Sequence, residues 1–87
     1  MERINITFTI EERDLIVNQT FAVDDLTERL HNAKVEGNYL KVAYTLDEIE
    51  DLAGFIAAEA NHAEDKKLEK KLDALYDKIS DIEDKYL

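Results

Sequence analysis

Residues 43–53 read "AYTLDEIEDLA", and thirty-six positions earlier residues 7–16 read "TFTIEERDLI". Each stretch runs through an aromatic, a threonine, an aliphatic and then acids, so a chain of 87 residues writes one phrase twice. The phrase reads as a strand running into a capped helix. Ile4, Ile6 and Phe8 alternate with Asn5 and Thr7, a period of two that buries one face of a strand over 4–8. Thr9 then stands as N-cap with Glu12 three residues on, the capping-box spacing. In such a box the threonine hydroxyl accepts from the N3 amide while the glutamate reaches back to the N-cap amide. In the second copy Leu40, Val42 and Tyr44 alternate with Lys41 and Ala43, Thr45 is the cap and Glu48 completes the box. Acids in the first turn also suit the positive end of a helix dipole. Local helix chemistry therefore accounts for "TLDEIED" without a ligand. Two origins fit the repeat, an internal duplication or the common selection of strand-to-helix junctions, and both predict the same elements.

Outward from the two copies, a first helix is expected over about 10–19, although "LIVNQTF" also has strong β-propensity. Asp24 is expected to cap a short helix reaching about residue 33, with Val23 as a hydrophobic staple and Leu26 and Leu30 on the inner face. Gly37-Asn38 suits a two-residue hairpin connection between about 33–36 and 39–44. A third helix covers about 46–61. Gly54 inside it costs up to about 1 kcal/mol relative to alanine, which a closely packed neighbour would explain. No proline interrupts any element. The expectation is a single small α+β domain over 1–87 in the order β-α-α-β-α-α. Residues 1–45 carry a two- or three-stranded sheet, and residues 46–87 form a C-terminal antiparallel helix hairpin.

From about residue 64 the chain turns into a long amphipathic helix. Leu68, Leu72, Leu75, Ile79, Ile82 and Tyr86 recur at spacings of four and three, an a/d stripe. The preceding helix offers Leu46, Ile49, Leu52, Ala53, Ile56 and Ala60 to receive it. The last helix is expected to outrun its partner by about two turns. The apolar end then invites a second copy or another protein, so Leu75, Ile79, Ile82, Tyr86 and Leu87 are the candidate interaction residues. A homodimer is one expected outcome.

Composition narrows the function classes. The net charge is −10, with five basic and eight acidic side chains over 1–43 and six and thirteen over 44–87. No cation lies between Lys41 and Lys66. Such a field repels phosphate backbones and anionic lipid surfaces, so neither direct nucleic-acid nor membrane binding is expected. The chain has no cysteine, which excludes disulfides and cysteine zinc sites. The N-terminus "MERINITF" has no signal-like apolar run and no segment reaches membrane-spanning length, so a cytoplasmic location is expected.

One constellation points to metal. "ERLH" at 28–31 and "EANH" at 59–62 each set a glutamate three residues before a histidine, the spacing used by dinuclear carboxylate sites in helix bundles. Glu28, His31, Glu59 and His62 are the candidate ligands. Against them, Glu28 and His31 point away from the Leu26–Leu30 face, and His62 lies off the Ile49–Ile56 face. No Gly-rich phosphate loop or cysteine nucleophile is present, and the one serine, Ser80, falls on the exposed side of the last helix. Tyr39, Tyr44, Tyr76 and Tyr86 read as core and seam residues. The expected protein is no enzyme and carries no cofactor. It is a small acidic cytosolic accessory or regulatory protein acting by protein–protein interaction. The alternatives are an acidic nucleic-acid mimic, motivated by the cation-free stretch and the Asp73, Asp77, Asp81, Asp84 stripe, and a Glu-x-x-His metal module.

Overall fold

A computed structural model of the chain describes residues 2–20 and 24–86, residue 24 by its main chain only. Strand β1 (Arg3–Thr9) leads into helix α1 (Ile10–Gln19), and helix α2 (Asp24–Asn32) follows. A short strand β2 (Val35–Glu36) turns back into β3 (Tyr39–Thr45), which enters helix α3 (Leu46–His62), and helix α4 (Lys66–Tyr86) ends the described chain. The order is β-α-α-β-β-α-α, the extra strand being the first arm of the Gly37-Asn38 hairpin. The sheet is antiparallel throughout, in the order β1-β3-β2. The Val23 staple and the Asp24 side-chain cap lie outside the described residues and side chains.

Both predicted capping boxes are present. The Glu12 amide donates to the Thr9 hydroxyl at 3.1 Å and the Thr9 amide to Glu12 Oε1 at 2.8 Å. At the second junction the Glu48 amide donates to the Thr45 hydroxyl at 3.2 Å and the Thr45 amide to Glu48 Oε1 at 2.9 Å. The strands feeding these caps lie side by side with Ile6 opposite Val42, and those two residues are themselves thirty-six positions apart. The flanking pairs, Ile4 opposite Tyr44 and Phe8 opposite Leu40, exchange with one another under the same shift, since Ile4 corresponds to Leu40 and Phe8 to Tyr44. A local two-fold axis therefore passes between Ile6 and Val42 and relates the two copies of the phrase. Gly37 takes φ +63° while no non-glycine residue described has positive φ, the pattern of a II′ turn with glycine first.

The alternation along β1 and β3 puts Ile4, Ile6, Phe8, Leu40, Val42 and Tyr44 on one face of the sheet. That face is covered by Ile16, Leu26, Leu30, Ile49, Leu52, Ile56, Leu72, Leu75 and Ile79, all buried. Burying each such side chain contributes roughly 1.5–3 kcal/mol before chain entropy is counted, so this helical layer holds the fold.

Two expectations are corrected. Around Gly54 an added Cβ would meet nothing within 4 Å, so no close packing accounts for the glycine. Helix α4 has 21 residues against 17 in α3, an excess of about one turn rather than two. Its end does not stand clear of the domain. Tyr86 shares a groove with Glu2, Ile4, Thr45, Leu46 and Asp47, which places the tip of α4 at the start of β1 and of α3.

Candidate interaction surface

Each capping box is closed by a cation from a distant helix. At α3 the guanidinium of Arg29, from α2, donates to Glu48 Oε1 at 2.8 Å and pairs through its second nitrogen with Oε2, a two-point fork. Arg29 also donates to Asp25 at 2.7 Å and to the Ala43 carbonyl at 3.4 Å, and lies 5.5 Å from the ring centroid of Tyr44. At α1 the ammonium of Lys78, from α4, donates to Glu12 Oε1 at 2.7 Å and to the Thr7 carbonyl at 2.7 Å, and lies 5.5 Å from the ring of Phe8. Thr7 and Ala43, Phe8 and Tyr44, Glu12 and Glu48 are two-fold equivalents. The two-fold arrangement therefore includes in space the cations that lock the caps, although Arg29 and Lys78 lie 49 positions apart in sequence and stand outside the repeat.

The electrostatics follow from this geometry. The fork from Arg29, with the Thr45 amide, holds the Glu48 carboxylate down at about 2, against the cost of its partial burial. The bond to Glu48 in turn raises Arg29 above the ordinary guanidinium range. Burial pushes the Tyr44 phenol far above its usual range, and its hydroxyl donates to the Leu26 carbonyl at 2.6 Å. These charged groups are engaged with one another. They tie strand, cap and helix together.

Among the described residues no helix covers the other face of the sheet. Arg3, Asn5 and Thr7 of β1 and Tyr39 and Lys41 of β3 are exposed there, with Ala43 half-buried. Glu36 faces the same way, opposite Tyr39. Thr7, Lys34, Glu36, Tyr39 and Lys41 bound an open groove of about 470 Å³. Arg3, Lys34 and Lys41 make no ion pair among the described residues, in a chain whose net charge is −10. Tyr39 is 56% exposed, the most exposed large hydrophobic side chain described.

The residues expected to mediate interaction divide. Leu75 and Ile79 are buried in the core, on the side of α4 that faces the sheet and α3, and are closed to a partner. Ile82 is half-buried and Tyr86 is 53% exposed, while Leu87 lies outside the described residues. Tyr44 alone of the four tyrosines is a core residue. Tyr39, Tyr76 and Tyr86 are exposed, against the expectation for all four. Glu28, His31 and His62 are exposed and Glu59 half-buried. Among the described residues no three histidine, aspartate or glutamate side chains gather as a metal centre requires. Sequence reasoning missed Arg29 and Lys78 as cap partners, since no local spacing links them to residues 48 and 12. The exposure of Tyr39 was missed as well, although its signal was present: Tyr39 shares the period of Lys41 on a strand whose other face holds Leu40 and Val42.

No helix described is long and apolar enough to cross a membrane. No family model, curated protein or solved structure matches the chain.

Proposed function

We propose that this protein is a small accessory or regulatory protein of the cytosol that works by binding another protein, and that the helix-free face of its sheet makes the contact. The observation that carries this reading is the position of Arg3, Lys41 and the exposed Tyr39 on that face. A tyrosine offers a large amphipathic surface at low entropic cost, and unpaired cations beside it orient a partner. Immobilised protein tests the reading by retaining a partner from lysate. Loss of that partner with Tyr39→Ala and with Lys41→Glu, both folded by circular dichroism, supports it. Equal retention by wild type and both variants refutes it. Light scattering on the purified chain separates a homodimer from a foreign partner.

A second reading has its own observation. Asp73, Asp77, Asp81 and Asp84 are all exposed along α4, the first three about 6 Å apart along the axis. Such a row of negative charge fits an acidic mimic that occupies a nucleic-acid-binding protein. Capture in low salt, compared with a scrambled acidic control, decides it: no enrichment of nucleic-acid binders removes the mimic.

A further inference from the structure

The local two-fold leaves one position unequal. On the outer edge of β3, β2 sets Val35 opposite Leu40 and Glu36 opposite Tyr39. The two-fold equivalents of Tyr39 and Leu40 are Arg3 and Ile4 of β1, and β1 is the edge strand of the sheet.

The direction of the β1 backbone follows from the hairpin. Glu36 and Tyr39 close a two-residue turn, so the N–H and C=O of Tyr39 point toward β2. Alternation sends those of Lys41 and Ala43 the same way. Their partners across the ladder, Thr9, Thr7 and Asn5, then direct theirs away from β3, as does Arg3. Two of these outward groups are already engaged, the Thr9 amide with Glu12 and the Thr7 carbonyl with Lys78. The outward groups of Arg3 and Asn5, and the Thr7 amide, meet no partner among the described residues. The edge has no proline and no bulge to blunt it.

Helix α4 flanks this edge on the core side. Lys78, Ile82 and Tyr86 fall one turn apart, with Lys78 at Thr7 and Tyr86 beside Ile4. Ile82 is half-buried between them and Tyr86 stays largely exposed. An added strand would thus find hydrogen-bonding groups, an apolar flank below and Arg3 above.

Resting on the protein-binding reading, we propose that the Arg3–Ile6 edge of β1 accepts a fourth strand from a partner protein. The partner segment is extended, with an apolar side chain opposite Ile4 and an acidic one opposite Arg3. The molecule carries the precedent, since Val35 and Glu36 fill the equivalent place on β3 with that alternation. Main-chain bonds supply the affinity in such strand addition, and alternate side chains supply the specificity. A second copy of β1 fits less well. It brings arginine, asparagine and threonine but no acid to Arg3, and sets one chain of charge −10 against another.

Two synthetic octapeptides test this, one alternating valine with glutamate and one valine with lysine, read by amide hydrogen exchange at Arg3 and Asn5. Saturating valine–glutamate peptide is expected to slow both amides at least tenfold while valine–lysine peptide leaves them unchanged. Arg3→Glu is expected to reverse the preference. Asn5→Pro removes an outward N–H at an edge, where proline is tolerated, and is expected to abolish binding with the melting curve retained. Should that variant fail to fold, the Arg3→Glu arm decides alone. No slowing with either peptide, equal slowing with both, or a preference unmoved by Arg3→Glu overturns the proposal. So does slowing without peptide that grows with protein concentration, which assigns the edge to a second copy. If the captured partner depends on Tyr39 and Lys41 while the Arg3 and Asn5 amides stay unprotected, the fourth strand falls and the protein-binding reading stands.

Discussion

Lys78 donates to the carbonyl of Thr7 at 2.7 Å, across 71 positions of sequence. Arg29 reaches the carbonyl of Ala43 in the equivalent place at 3.4 Å. In both cases one cation touches the strand end, the ring beside it and the glutamate of the cap, so each junction depends on a helix that does not belong to its own strand–helix pair.

The two cations are not interchangeable. Arg29 engages both oxygens of Glu48 and also Asp25, a geometry that an ammonium cannot reproduce. Arg29→Lys is expected to cost about 1–2 kcal/mol, because hydrogen bonds to charged groups are lost in a partly buried site. Lys78→Arg keeps a cation beside Glu12 and Thr7 and is expected to cost less than about 0.5 kcal/mol. Urea midpoints of the two variants check the contrast.

Thr9→Ala and Thr45→Ala are each expected to cost about 1 kcal/mol. Glutamine at position 48 would still reach the Thr45 amide but would lose its charge toward Arg29. Glu48→Gln is therefore expected to exceed Thr45→Ala in cost. Equal or smaller loss for Glu48→Gln, measured by denaturant midpoint, would show that the fork adds nothing to the cap.

Acid should weaken the second junction. The Glu48 carboxyl titrates at about 2 in the folded chain, below its ordinary value of 4.5. A depressed carboxyl contributes stability that is fully present above its unfolded value and is lost as pH falls toward its folded one. The side chain is 21% exposed, so screening limits the contribution to on the order of 1–2 kcal/mol. Melting temperature followed from pH 6 to pH 2 is expected to fall mainly below pH 4.5, with a shallower fall in Glu48→Gln.

Ile79 and Ile82 separate core from margin. Ile79 is fully buried, and Ile79→Ala is expected to cost about 2–5 kcal/mol through a cavity in the helical layer. Ile82 is half-buried, and Ile82→Ala is expected to cost no more than about half as much. Thermal unfolding with light scattering distinguishes this from a role in self-association, which would move both variants toward a smaller species at equal stability.

Gly54 is exposed within α3, and an added methyl meets nothing within 4 Å. Gly54→Ala is expected to raise stability by up to about 1 kcal/mol. A destabilised variant would mean that α3 is bent or approached there by something that the isolated chain lacks.

The period of two in 4–8 and 40–44, and the threonine–glutamate spacing after each, were enough to locate both strands, both helix starts and the buried face. Those signals are local, set by the pleat and by the first helical turn. The partners of Glu12 and Glu48 were not legible, because Lys78 and Arg29 come from helices whose placement depends on how the whole layer packs. The a/d stripe of α4 was read correctly as apolar but assigned to a partner too far inward. Spacing reports that Leu75 and Ile79 are covered, whereas what covers them is decided by the sheet and α3. Tyr39 was misplaced for the opposite reason. Its aromatic character outweighed its position, although the pleat sends it to the same side as Lys41.

The crossed arrangement of cations bears on the order in which the chain can fold as it is made. The box at the head of α1 is complete in sequence by residue 12, yet its lysine is residue 78. Strand β1 and α1 must wait, without their lock, until residue 78 has left the ribosome. The box of α3 has its arginine upstream and can close as soon as residue 48 is free. Synthesis from the N-terminus therefore favours the second copy of the phrase as the template on which the first is later seated.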